Sequence, residues 1–120
     1  MEWPHHPTML ANGNILIFDN GSRRGYSKVL EIDPVTGTIV WEYAGAPPRS
    51  FYSFSRGSAQ RLPDGNTLIC EGDEGRAFEV DPEGEIVWKW LNTTTPEGHR
   101  EQLYRMIRIP PEEVEPLLSE

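Results

Sequence analysis

The chain has 120 residues, 37% hydrophobic and 10% aromatic, which suits one folded domain and excludes a disordered polypeptide. Eleven basic against 19 acidic residues give a formal net charge of −8. This charge repels phosphate, so neither nucleic acid nor a membrane surface is expected as a partner. The chain also contains no apolar run of about 18 residues, so we predict no membrane span.

The first half of the chain is predicted to form four short strands. They lie near residues 7–11, 14–19, 27–32 and 38–43. Asn12-Gly13 separates the first two strands, and this dipeptide accepts the positive φ of a tight hairpin turn. Asp33-Pro34, followed by Gly37, marks the turn between the last two strands, because proline fixes φ and glycine tolerates positive φ.

The second half repeats this pattern. The run that begins at Leu10 returns at Leu62, 52 positions later, and the run that begins at Leu30 returns at Phe78, 48 positions later. The corresponding strands are predicted near 58–62, 66–71, 76–80 and 85–90, with a ninth strand at 102–109 and a short helical turn at 112–118. Cys70, the only cysteine, lies in an apolar run and is predicted to be buried, which excludes an intrachain disulfide.

Four antiparallel strands in each unit of about 45–52 residues are typical of a β-propeller blade. The predicted fold is therefore all-β, a partial propeller with blades at 1–50 and 51–92, followed by a loop, closing strand and tail at 93–120. A blade packs against neighbours on both faces, so two blades alone would expose large apolar surfaces. Either the remaining blades belong to a longer chain, or copies of this chain assemble with one another.

Propeller sites usually lie near the central axis, at the loops that lead into each innermost strand. In the first unit these loops carry His5 and His6, which are candidate catalytic residues. In the second unit they carry Tyr52 and Arg56, which are candidate substrate-binding residues. Arg24, in the long loop between the second and third strands, is a further candidate for binding an anion.

Each candidate also has a plainer interpretation. Paired histidines near an N-terminus fit a solvated loop, and Arg24 fits a solvated loop side chain. His99 lies in a polar loop before the ninth predicted strand, which favours a surface position. Adjacent histidines on an extended segment point in opposite directions, so His5, His6 and His99 are not expected to form a zinc site. We expect no metal and no cofactor.

Several segments resemble the bacterial arylsulfotransferase family. The run from His5 to Gly21 places a histidine before an Asn-Gly-Asn hairpin and a Phe-Asp-Asn-Gly segment, as in that family. Phe51 to Ser53 and Gly57 to Ile69 are similar to its next blade, and Tyr104-Arg105 is similar to its closing strand. The resemblance extends from about residue 3 to residue 109.

The resemblance implies a six-bladed, periplasmic or secreted enzyme, although this chain carries no signal peptide. Such enzymes transfer a sulfuryl group from an aryl sulfate to a phenolic acceptor through a sulfated histidine, without a nucleotide donor. The family's nucleophile corresponds best to His5, with His6 one position away. Neutral imidazole is a competent nucleophile, and arginines would stabilise the sulfuryl oxygens.

Two departures from the family pattern leave questions open. Pro4 replaces the usual glutamine, so the choice between His5 and His6 stays open. The family's other catalytic residues lie in earlier blades that are absent here, and we therefore expect residues 1–120 alone to be inactive. The alternatives are a non-catalytic propeller that serves as a scaffold or binding module and, less favoured, a quinone-dependent dehydrogenase, which would call for an adjacent-cysteine pair.

Overall fold

The computed structural model describes residues 4–103 and 105–109, with side chains from His6 onward. Eight strands and two single-turn 3-10 helices, at Pro48–Ser50 and Gly72–Glu74, account for its regular structure. The strands are β1 Pro4–Met9, β2 Ile15–Asp19, β3 Lys28–Asp33, β4 Thr38–Tyr43, β5 Ser58–Arg61, β6 Thr67–Glu71, β7 Arg76–Val80 and β8 Ile86–Leu91. The eight strands predicted in the two units are confirmed.

The strands form two four-stranded sheets, each antiparallel and in sequence order. We call β1–β4 the N-terminal sheet and β5–β8 the C-terminal sheet. Gly13 and Gly65 in the first hairpin of each sheet have φ of 88° and 93°, which glycine adopts without a Cβ clash. The all-β prediction is confirmed, whereas the division at residues 50 and 92 stays a prediction.

Four aromatic rings form the centre of the core between the sheets. Phe51, from the connection between the sheets, lies 5.5 Å from Phe18, Tyr43 and Phe78, measured between ring centroids. Its contacts with Phe18 and Phe78 are edge-to-face, the favoured geometry for aromatic pairs. The connection between the units is therefore anchored in the core.

An arginine from the C-terminal sheet also binds the N-terminal sheet. Arg61 Nη1 lies 2.9 Å from Glu31 Oε1, and its guanidinium lies 5.1 Å from the centre of the Trp41 ring. Glu31 is mostly buried and also accepts a 2.7 Å hydrogen bond from Asn14 Nδ2. Burial raises the pKa of Glu31, but the hydrogen bonds and the charge of Arg61 bring it below its ordinary value. We call Arg61, Glu31 and Trp41 the first clasp.

The same arrangement recurs on the C-terminal sheet. Arg108 Nη2 lies 3.1 Å from Glu79 Oε1, and its guanidinium lies 4.6 Å from the centre of the Trp88 ring. Asn66 Nδ2 donates to Glu79 at 2.8 Å, as Asn14 donates in the first unit. We call Arg108, Glu79 and Trp88 the second clasp. Residues 105–109 thus contact the C-terminal sheet in the way that β5 contacts the N-terminal sheet.

The prediction of a ninth strand at 102–109 is wrong for the residues that the structure describes there. The backbone of Arg108 instead bonds the Gln60 side chain, donating to Oε1 at 2.7 Å and accepting from Nε2 at 3.1 Å. Met106 N–H donates to Ser58 Oγ at 3.4 Å. A strand pairs with a neighbouring backbone along its length. The described residues of this segment make one backbone bond, from Leu103 N–H to Gly72 O at 2.8 Å, and otherwise bond side chains. The predicted helical turn at 112–118 lies outside the described residues.

Candidate functional site

A β-bulge in β1 determines where His6 lies. His5 pairs with Phe18 and Thr8 pairs with Leu16, and the register shifts between these two pairs. His6 lies within the bulge and has φ of 51°, an uncommon value for a residue other than glycine. Bulges redirect side chains and are over-represented beside active sites. The His6 ring is half-buried, with its Nδ1 atom hidden from solvent.

Arg105 places a positive charge beside this imidazole. Its Nη1 atom lies 3.3 Å from His6 Nε2, although the two residues are 99 positions apart. A guanidinium group can only donate hydrogen bonds, so a hydrogen bond in this contact requires Nε2 to be the acceptor. An imidazole nitrogen that accepts a hydrogen bond carries a lone pair, which is the form that acts as a nucleophile.

A cavity of about 320 Å³ lies next to His6. It is lined by His6, Thr8, Met9, Leu10, Ala59, Gln60, Arg61 and Ile107. Its walls come from β1, β5 and the segment after residue 104. Its size is at the low end for small-molecule sites, so it suits a small ligand.

Of the two candidate histidines, only His6 can be placed at this cavity. The side chain of His5 lies outside the described residues, although its backbone pairs with Phe18. His99 is exposed, as expected, and does not line this cavity.

The structure does not bring the predicted arginines to the His6 cavity. Arg56 Nη1 lies 3.2 Å from Asp73 and 2.6 Å from Gln102 Oε1, so it links two loops. Arg24 Nη1 lies 3.3 Å from Asp19, a buried carboxylate. Neither arginine lines the cavity, and their roles in substrate binding stay predictions.

Tyr52 lies at a second cavity. This cavity has a volume of about 310 Å³ and includes Arg49, Arg76 and Arg100. Tyr52 N–H donates to Glu71 Oε2 at 2.6 Å, and Glu71 is almost fully buried. Burial raises the pKa of Glu71 above its ordinary value, despite the opposing charge of Arg76.

The sequence analysis did not identify Arg49, Arg76 or Arg105 as site residues. Arg105 had a signal, because its Tyr-Arg pair belongs to the segments that resemble the family. Arg49 and Arg76 have no distinguishing signal, because single arginines are common in any sequence and mostly solvated.

Cys70 is not a candidate catalytic residue. Its side chain is buried, and burial raises the pKa of its thiol to about 11, so the reactive thiolate is scarce near neutral pH. Across residues 4–103 and 105–109, no group of three His, Cys, Asp or Glu side chains is arranged to hold a metal ion. Within the same ranges, no helix has the length and apolar character needed to cross a membrane.

Comparison with known proteins identifies a matching family and similar solved structures. Residues 1–93 match a protein family described as Arylsulfotransferase (ASST). The chain is also similar to a solved protein of unknown function from Bacteroides caccae, with 20% sequence identity, a TM-score of 0.54 and 78% of this chain covered. No curated protein matches significantly.

The structural match covers only 32% of the Bacteroides chain, so the present chain spans about a third of that protein's length. At 20% identity this likeness concerns the fold alone.

Proposed function

We propose that this chain, which belongs to the arylsulfotransferase family, forms part of an enzyme that transfers sulfuryl groups from aryl sulfates to phenols. The observation that carries the proposal is the His6 imidazole at the edge of a small cavity, with its Nε2 atom 3.3 Å from Arg105 Nη1. We assign the nucleophile to His6 rather than to His5. The bulge in β1 supports this choice, because it directs His6 toward Arg105.

In the proposed first step, the Nε2 lone pair of His6 attacks the sulfur atom of the aryl sulfate. The N–S bond forms as the bond from sulfur to the aryl oxygen breaks, and the phenolate leaves with that electron pair. In the second step, the acceptor oxygen attacks sulfur and the N–S bond breaks, which returns the lone pair to Nε2. The departing phenolate takes up one proton, and the acceptor loses its hydroxyl proton. The two steps together therefore neither consume nor release a proton.

Arg105 has the chemistry to assist both steps. Its guanidinium donates to Nε2 before substrate arrives and can transfer these hydrogen bonds to the sulfuryl oxygens. Charge-assisted hydrogen bonds to oxyanions are strong, and they accelerate a reaction where charge develops in the transition state.

We further propose that the two sheets are adjacent blades of a propeller. Support comes from the repeated clasps and from an apolar groove of about 1100 Å³ between the C-terminal sheet and residues 107–109. Val87 and Trp88 line this groove and stay exposed, and a neighbouring blade would cover them. The missing blades would come from a longer polypeptide or from further copies. Location in the periplasm or outside the cell is part of the same proposal.

The test compares His6→Gln with the matched control His5→Gln in the complete propeller. Each protein is incubated with 4-nitrophenyl sulfate, with and without phenol, and phenolate release and histidine sulfation are measured by absorbance and mass spectrometry. We expect His6→Gln to abolish both signals and His5→Gln to retain them. Loss of both signals in His5→Gln alone would contradict the assignment. Sulfuryl transfer by residues 1–120 alone would contradict the proposal that this part is inactive.

A non-catalytic binding module is the second candidate. Arg24 and Arg56 favour it, because both are paired with carboxylates instead of facing the His6 cavity. In the same experiment, a binding module would bind the aryl sulfate but release no phenolate and carry no sulfated histidine.

A further inference from the structure

The cavity beside Tyr52 collects three arginine side chains, which we call the arginine groove. Its volume is about 310 Å³, and its principal lining residues are Arg49, Tyr52, Glu71, Glu74, Arg76 and Arg100. It shares no lining residue with the cavity beside His6. The two sites can therefore be tested separately.

Arg76 and Glu71 form the fixed part of the groove. Arg76 Nε donates to Glu71 Oε1 at 2.7 Å, and Nη2 donates to Ser50 O at 3.3 Å. Glu71 is only 2% exposed and also accepts the Tyr52 N–H. This pair neutralises its own charge and holds the loop around Ser50 against β6 and β7.

Arg49 and Arg100 supply the remaining positive charge. Arg100 Nε donates to Glu74 O at 2.8 Å, which positions its guanidinium through a neutral carbonyl group. Arg49 is exposed. Within the part of the chain that the structure describes, neither arginine has a carboxylate oxygen within 4.0 Å. With Glu71 matched to Arg76, these two guanidinium groups outnumber the one remaining carboxylate, Glu74.

The charge and size of the groove define the ligand. Guanidinium groups match the geometry of carboxylate and sulfate oxygens and bind them through paired hydrogen bonds. The chain as a whole carries a net charge of −8, which repels anions at long range, so binding here must depend on the local arginines. The volume is at the low end for ligand sites and excludes large molecules.

We propose that the arginine groove binds a small organic oxyanion, a carboxylate or a sulfate ester, between the guanidinium groups of Arg49 and Arg100. This site is additional to the sulfuryl-transfer site proposed at His6 and does not require that reaction to occur.

The test is a titration of the 120-residue chain, followed by nuclear magnetic resonance of backbone amides and arginine Nε–H groups. Sodium benzoate and sodium phenyl sulfate serve as separate probes, with sodium chloride at equal ionic strength as the reference. Arg49→Ala and the Arg49→Ala/Arg100→Ala double variant are compared with Arg23→Ala, an exposed arginine outside the groove.

We expect saturable shifts at Arg49, Tyr52, Arg76 and Arg100 with at least one probe. The double variant should weaken binding about tenfold or more, because charged hydrogen bonds are lost, while Arg23→Ala changes affinity less than about twofold. Arg49→Ala alone should weaken binding measurably, and because the Arg49 side chain is exposed, its loss is not expected to unfold the chain. The probe that binds identifies carboxylate or sulfate as the preferred group.

Four results would overturn the proposal. The first is that neither probe binds saturably, and the second is that Arg23→Ala weakens probe binding as much as the groove variants do. The third is that Arg49→Ala binds the probe with unchanged affinity, and the fourth is that the probe shifts resonances of His6 and Arg105 alone. A His6→Gln variant that keeps full affinity for the probe would support a site separate from the sulfuryl-transfer site, whatever its effect on transfer.

Discussion

Replacing Arg61 with methionine tests how strongly the first clasp holds the two sheets together. Methionine keeps an apolar stem of similar length on Trp41, so the variant removes mainly the charge and its hydrogen bonds. The Arg61 side chain is 23% exposed and that of Glu31 is 8% exposed. After the substitution, Glu31 stays largely buried, and its remaining hydrogen-bond donors among the described residues are Asn12 and Asn14.

The expected loss combines two contributions. A hydrogen bond to a charged group contributes about 1.5–3 kcal/mol, and a partly shielded cation–π contact about 0.5–1 kcal/mol. Together they predict that Arg61→Met lowers the free energy of unfolding by about 2–4 kcal/mol, or Tm by roughly 8–20 °C for a domain of this size. Arg108→Met in the second clasp should cost only about 0.5–1 kcal/mol, because Arg108 is 45% exposed.

Urea unfolding of the 120-residue chain, monitored by far-ultraviolet circular dichroism, measures both losses. Glu31→Gln and the double variant with Arg61→Met complete a double-mutant cycle, in which we expect a coupling energy of about 1–2 kcal/mol. Equal losses for Arg61→Met and Arg108→Met, or a coupling energy near zero, would refute the reasoning from burial.

Three further predictions follow from the core. Hydrogen bonds hold the pKa of Glu31 below 4.5, so its ionised form contributes stability above pH 4.5 that is lost as pH falls through the lower folded value. The stability difference between the native chain and Glu31→Gln should therefore shrink in urea titrations below pH 4.5, and a constant difference would contradict this. Cys70, with a pKa of about 11, should react with iodoacetamide at pH 8 only after urea is added, so rapid native labelling would show that the site opens. Gly57→Ala places a methyl group against the Phe18 ring and should lower the free energy of unfolding in urea by about 1–3 kcal/mol, so an unchanged value would show that the ring moves aside without cost.

The strands were predictable because their signals are local. Asn12-Gly13 and Asp64-Gly65 each mark a hairpin, and the repeat places this turn at the same point in both units. The predicted ninth strand shows that the local sequence pattern alone does not establish a strand. Alternation at 102–109 is compatible with a strand, but the backbone of Met106 and Arg108 bonds the side chains of Ser58 and Gln60. A strand's partner is a property of the fold and not of the segment itself.

The candidate site was only partly predictable for a similar reason. The histidine pair was visible in the sequence, but the bulge between His5 and Thr8 determines that His6 faces Arg105. That contact joins residues 99 positions apart, and no periodicity in one sequence specifies such a pair. Likewise, nothing in the spacing of Arg24 and Arg56 indicated that each would pair with a nearby aspartate.

The second clasp gives residues 105–109 a direct connection to the proposed chemistry. Arg108 binds Glu79, and Arg105, three residues earlier in the same segment, contacts His6. Among the residues that the structure describes, the hydrogen bonds of this segment each involve a side chain, so local opening should need little free energy. Weakening the second clasp should therefore release Arg105 from His6 without unfolding either sheet.

Glu79→Gln tests this coupling. A partly exposed ion pair contributes about 0.5–1 kcal/mol, so the amide hydrogens of Met106 and Arg108 should exchange about two- to fivefold faster, while those of β2 keep their protection. Glu31→Gln is the matched control, since Glu31 belongs to the first clasp and should leave the exchange of Met106 and Arg108 unchanged. If Glu79→Gln leaves their exchange rates unchanged, or accelerates β2 equally, the second clasp does not position Arg105, and another contact must hold it beside His6.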